Sequence, residues 1–118
     1  LKSLKKVATL ENLPVINQAN LLMGTMPAKN LSDSPLKVFV IECASLYERE
    51  GGPYTDTQGK DWEDNPVRFG VLSKVAAILS STNSPIKNWL PDVVHCNDWQ
   101  TGLAPAYMKL TDKTAAKS

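Results

Sequence analysis

Val38-Phe39-Val40-Ile41 is an unbroken run of β-branched and aromatic residues, and its reading decides the fold class. A strand with one wet face alternates apolar with polar side chains, whereas a strand covered on both faces does not. The run therefore predicts a strand of a parallel sheet flanked by helices. Upstream, Lys29-Asn30-Leu31-Ser32-Asp33-Ser34-Pro35 is a turn-rich connector. Residues 7–10 and 21–26 read as two earlier strands, punctuated by Asn12, Pro14, Asn17 and Asn20.

Downstream, the pattern dissolves over residues 44–63 into a long loop holding Gly51, Gly52, Pro53 and Gly59. Long loops without regular structure are uncommon in compact domains and tend to be functional. A helix is predicted from Asn65, with Asn65 as its cap and Pro66 at the first helical position, where a missing N–H costs nothing. Val67, Val71, Val75, Ile78 and Leu79 then recur at helical spacing as one buried stripe, and residues 81–85 end the helix. Trp89 and Leu90 precede a second valine-rich strand at residues 92–96. A second helix follows over 101–110, with Pro105 expected to kink it or delay its start. Strand, loop, helix, strand, helix is the rhythm of an α/β sheet.

The 118 residues suffice for one domain with a modest core. Thirteen basic and twelve acidic residues leave a net charge of +1, so no field steers the chain toward nucleic acid or an anionic membrane. Lys2, Lys5 and Lys6 read as a solvated end, and residues 113–118 as a polar connector. Two cysteines, Cys43 and Cys96, stand far apart and outside any metal-ligand spacing, which suits a reducing compartment. No apolar run approaches a bilayer span and no signal peptide is evident. A start at Leu1 rather than methionine is read as a cut from a larger protein.

Ligands of open α/β sheets bind beyond the carboxyl ends of the strands. Two such ends are named here: one leads into residues 42–53, the other into Asn97-Asp98-Trp99-Gln100. Asp98 has two readings, a helix N-cap or a catalytic carboxylate. His95, the only histidine, reads as a satisfied core residue near the end of a buried strand, with Cys96 on the other face; a metal site is rejected. Gly51-Gly52 reads as a tight turn, since a phosphate cradle needs a helix N-terminus directly after the glycines. Asp64 and Arg68 stand at the spacing of a helical ion pair. Tyr47, Tyr54 and Trp62 have flat faces suited to stacking on sugar rings, or equally to packing.

Three ordered blocks then carry a resemblance. Leu46-Tyr47-Glu48-Arg49-Glu50-Gly51-Gly52-Pro53-Tyr54, Gly59-Lys60-Asp61-Trp62-Glu63-Asp64-Asn65-Pro66-Val67-Arg68-Phe69 and the segment from Pro91 through Asn97-Asp98-Trp99-Gln100-Thr101-Gly102 to Tyr107 resemble bacterial glycogen synthases and plant starch synthases. The likeness covers residues 38–109. It implies a GT-B glycosyltransferase, with two Rossmann-like domains facing across a cleft, of which this chain is part of the N-terminal, acceptor-side one. The implied reaction moves glucose from a nucleotide sugar, ADP-glucose by resemblance, to the non-reducing end of an α-1,4-glucan with retention. Its transition state is oxocarbenium-like, with charge growing on the departing diphosphate. The resemblance makes Asp98 an active-site residue and Asn97, Trp99, Gln100, Arg49 and Tyr54 candidates for substrate binding. It implies no cofactor and no metal, a cytoplasmic enzyme (plastidial in a plant), and glucan and nucleotide sugar as its partners.

The departures are as informative. The family's lysine–glycine–glycine loop has no counterpart here, the histidine of its next strand would fall after Ser118, and the second domain with most of the donor site is missing. The chain alone is therefore expected to be inert, and to associate with itself through unpaired strand edges. Two rival readings are a glucan-binding relative that transfers nothing, and a GT-B glycosyltransferase with another acceptor.

Overall fold

The structure, a computed structural model, describes residues 2–27 and 34–111. Three strands, β1 (Lys2–Glu11), β2 (Gln18–Met26) and β3 (Leu36–Glu42), form one sheet in the order β1-β2-β3. Helices α1 (Ala44–Tyr47), α2 (Asn65–Leu79) and α3 (Ala104–Thr111) follow. The strands at 7–10, 21–26 and 38–41 were all legible in the sequence, but the connector at 29–35 lies largely outside the described residues.

The sheet corrects the expected parallel arrangement. Both strand pairs are antiparallel, with Leu10 opposite Ala19 and Leu21 opposite Ile41. Strands joined by short connections fold back on one another, and parallel pairing needs a crossover of a dozen or more residues. Residues 12–17 cannot supply one. Their turn is closed by the Asn12 N–H donating to the Asn17 carbonyl at 3.2 Å, with Asn12 at a positive φ of 55°. Lys5 and Lys6 lie exposed on β1, where charged side chains discourage pairing with another chain.

The core gathers Leu10, Leu13, Ala19, Leu21, Leu46, Val71, Val75 and Leu79, with Phe39, Ile41 and Trp89 packed against it. Leu21 and Val71 are completely buried. Val38, Phe39, Val40 and Ile41 are only half-buried, so the apolar run in β3 is covered on neither face completely. Between β3 and α2 lies a cavity of about 420 Å³ lined by Phe39, Ile41, Leu72 and Val75 among others.

Helix α2 begins at Asn65, the expected cap, so the N-cap falls one residue earlier, on Asp64, and Pro66 stands second. At its other end the Ser80 hydroxyl donates to the carbonyls of Ala76 and Ala77 and the Ser81 hydroxyl to that of Ile78, adding to the backbone N–H groups of Ser80 and Ser81 that already reach Ala76 and Ile78. The valine stripe packs on the sheet as expected. A second face, Gly70, Ser73 and Ala77, is also buried, and small residues there let the segment after residue 97 approach closely. Ser73 donates its hydroxyl to the Gln100 carbonyl at 3.3 Å.

Residues 92–96 form no strand. They make no ladder, with Val93 80% exposed and His95 exposed, while Val94 and Cys96 are half-covered. This alternation is a strand's, yet no neighbouring strand lies beside it among the described residues. His95 is thus not the buried core histidine expected. Pro105 delays the last helix: a 3-10 turn, Trp99–Thr101, comes first and α3 begins at Ala104.

Candidate active site

Asp98 occupies the junction between the unladdered segment and the 3-10 turn. Its backbone lies at φ 66°, ψ 174°, a region that glycine tolerates and residues with a Cβ rarely enter. One carboxylate oxygen accepts from the Trp99 N–H at 2.8 Å, which caps the turn. The capping reading is thereby realised, on a 3-10 turn rather than on an α-helix. The side chain is exposed, and its other oxygen accepts no protein hydrogen bond among the described residues. Thr101 braces the turn by donating its hydroxyl to the carbonyls of Asn97 (2.9 Å) and Asp98 (3.1 Å).

Three aromatic rings stand beside this turn. Phe69, on α2, meets the edge of Trp99 with centroids 4.9 Å apart and planes at 75°. Tyr54 lies 5.9 Å from Phe69 and 6.1 Å from Trp99. Gln100 donates its amide to the Tyr54 hydroxyl at 2.7 Å. Trp99 remains 63% and Tyr54 42% exposed, so neither ring is core. Five of the six candidate residues, Tyr54, Asn97, Asp98, Trp99 and Gln100, therefore come together, although 42 residues separate Tyr54 from the nearest of the others in sequence.

Arg49 stands apart from them. It forms a forked ion pair with Asp64, Nη1 donating to Oδ1 at 2.7 Å and Nη2 to Oδ2; Nη2 also donates to the Ser45 carbonyl. Its guanidinium lies 5.0 Å from the Trp62 ring centroid, in a polar hollow of about 390 Å³ shared with Asp61 and Asp64. The hydrogen bond to Asp64 holds the guanidinium firmly protonated, and the same bond holds the Asp64 carboxyl below the usual range. The helical pair expected between Asp64 and Arg68 is thus replaced by one across the loop, which suits Arg49 to bracing residues 48–63.

The loop itself is folded, not irregular. Thr55 and Asp61 make an antiparallel bridge, the Gly52 N–H donates to Thr55 (2.8 Å), the Asp56 N–H to Lys60 (2.8 Å) and the Trp62 N–H to Tyr54 (3.0 Å). Gly51 makes this tight turn possible. Its φ is 138°, and a Cβ there would sit 2.7 Å from the Thr55 carbonyl oxygen. Tyr47 is packed rather than offered to a ligand: its hydroxyl donates to the Arg68 carbonyl at 2.8 Å, and burial pushes its pKa to about 12. Trp62 donates its indole N–H to the Gly52 carbonyl.

Sequence reasoning missed Phe69 and Arg68 as parts of this arrangement. The Gly70, Ser73, Ala77 spacing, one helical face of small residues, was the readable sign that a second segment docks there. Among the described residues, no three His, Cys, Asp or Glu side chains are grouped to hold a metal ion, and no helix is long and apolar enough to cross a membrane.

Comparison with known proteins extends this geometry. The family model described as the starch synthase catalytic domain matches residues 2–118. A glycogen synthase of Nitrosospira multiformis is 49% identical over 118 residues, all of this chain and 23% of the relative. One from Nitrosomonas eutropha is 50% identical over 108 residues (92% of the chain, 21% of the relative). One from Paramagnetospirillum magneticum is 53% identical over 91 residues (77% and 17%). The chain spans less than a quarter of the length of these relatives.

Proposed function

Because the chain belongs to the starch synthase catalytic domain family, we propose that it forms the acceptor-side wall of a glucan synthase active site. The enzyme transfers glucose from ADP-glucose to the non-reducing end of an α-1,4-glucan, with retention. The observation that carries this reading is the convergence of Asp98, Tyr54 and Trp99 from a loop and a turn that share no secondary-structure element. Tyr54 and Trp99 offer exposed faces to the C–H surfaces of a glucan, and Gln100 fixes the Tyr54 hydroxyl. One oxygen of Asp98 is held by the Trp99 N–H; the other accepts a sugar hydroxyl, or faces the positive charge that grows on the anomeric carbon.

Arg49 acts on this site through the loop it braces. The cations that hold the departing diphosphate belong to parts of the enzyme beyond these residues, so the 118-residue chain alone transfers no sugar. The enzyme works in the cytoplasm, or in the plastid of a plant, and needs no cofactor.

The test is to supply the intact enzyme with labelled ADP-glucose and maltoheptaose and analyse the product. Label at the non-reducing end in an α-1,4 linkage is expected, with UDP-glucose a poorer donor. A product extended elsewhere, or none with either donor, would refute the reading. The isolated chain carries a second expectation. No strand borders the outer edge of β3 among the described residues, and the β3–α2 cavity beside it is apolar. Such edges recruit strands. Light scattering should show dimers or larger species at high concentration; a monomer throughout would contradict this.

A further inference from the structure

Arg68 is 7% exposed, and no carboxylate lies within ion-pair distance of it among the described residues. A buried cation without an ion-paired carboxylate is costly unless its donors find acceptors. Here they gather backbone from separate segments. Nε donates to the Leu46 carbonyl at the end of α1 (3.0 Å), and Nη1 to the Pro53 carbonyl (2.8 Å) and to Asn65 Oδ1 (2.6 Å). Asn65 in turn donates its amide to the Tyr54 carbonyl at 2.9 Å. The guanidinium carbon stands 5.8 Å from the Tyr47 ring centroid and 5.7 Å from that of Phe69, so π faces take part of the place of a counter-ion.

We propose that Arg68 is a positioning residue of the glucan site: from its buried place on α2 it holds Pro53 and Tyr54, and so sets the Tyr54 ring against Trp99 and Gln100. The inference rests on the proposed glucan-binding role for its effect on substrate, but not for its effect on the loop. A planar fork with several donors can bind the Leu46, Pro53 and Asn65 acceptors at once. A lysine ammonium keeps the charge without the fork, and a glutamine loses both the charge and most of the donors.

The test compares Arg68→Gln and Arg68→Lys by amide hydrogen exchange and tryptophan emission on the chain, and by steady-state kinetics on the intact enzyme. In Arg68→Gln, exchange over residues 48–63 should quicken about tenfold or more while the β1–β2 hairpin changes less than about twofold, with red-shifted emission. The KM for maltoheptaose should rise about tenfold with kcat changed far less, and Arg68→Lys should recover part of each effect. Unchanged loop exchange in Arg68→Gln would overturn the proposal. If that variant unfolds throughout, Arg68→Lys decides: loosening confined to the loop supports the role, and uniform loosening or none refutes it. A loosened loop with an unchanged KM would refute the effect on substrate. A wild-type protein that shows no response to maltoheptaose would instead sink the glucan reading and leave the loop result standing.

Discussion

Asp98→Gly is expected to make the protein more stable and, in the intact enzyme, nearly inactive. Holding a residue with a Cβ at φ 66°, ψ 174° costs about 1–3 kcal/mol, and glycine removes that cost. Two losses work against the gain. Glycine gives up more backbone entropy on folding, about 0.5–1 kcal/mol, and replacing a side-chain cap by glycine costs a few tenths more. The balance is a stabilisation of about 1 kcal/mol, or roughly 4 °C in the thermal midpoint. Against that gain stands the lost carboxylate, whose removal should lower the rate of transfer by about 100-fold or more, as for other groups that meet developing charge. Thermal melts and steady-state rates of the same variant check both halves. A less stable variant would show that the backbone at Asp98 is not strained.

Trp99→Ala is expected to weaken maltoheptaose binding about tenfold or more, a loss of about 1.4 kcal/mol, with little effect on folding. The ring is 63% exposed and touches Phe69 by its edge, so truncation uncovers little core. An exposed aromatic contributes little to stability, and Trp99 shares its patch with a second exposed ring, Tyr54, which is where a ligand would be held. Calorimetric titration of the intact enzyme measures the first effect and a melt the second. Trp99→Phe, which keeps a flat face, should restore most of the affinity. Equal binding by Trp99→Ala would remove the ring from the site, and a large drop in the melting point would return it to the core.

Both predictions depend on features that the sequence discloses unevenly. The strands around Val38-Phe39-Val40-Ile41 and the valine stripe of α2 were readable because periods of two and of 3.6 residues are local properties. The direction of strand pairing was not, since it depends on where the neighbouring strand comes from. β3 is apolar on both faces yet joins β2 antiparallel. Residues 92–96 have a strand's composition and alternation, but a ladder needs a partner as well. Asp64 illustrates a third limit. Its spacing favoured Arg68, but the forked geometry of Arg49 across the loop won, which left Arg68 to bind carbonyls.

The site was legible in its parts and not in its assembly. Asp98, Trp99 and Gln100 are contiguous, and their resemblance to glucan synthases marked them together. The resemblance named Tyr54 as well, but what brings it beside them is the folded loop, Gly51 and Phe69, none of which spacing could have connected. The strain at Asp98 was equally invisible, since a backbone angle has no signature in residue type when the residue is not glycine.

If the Asp98 carboxylate itself serves sugar transfer, the rate of Asp98→Asn in the intact enzyme must report it. Asparagine keeps the side-chain oxygen that caps Trp99, bears the same backbone strain as aspartate and has nearly the same shape, so only the charge is lost. The kcat should fall about 100-fold or more with the melting point nearly unchanged. Near-normal turnover by this variant would contradict that role and leave Asp98 a cap alone.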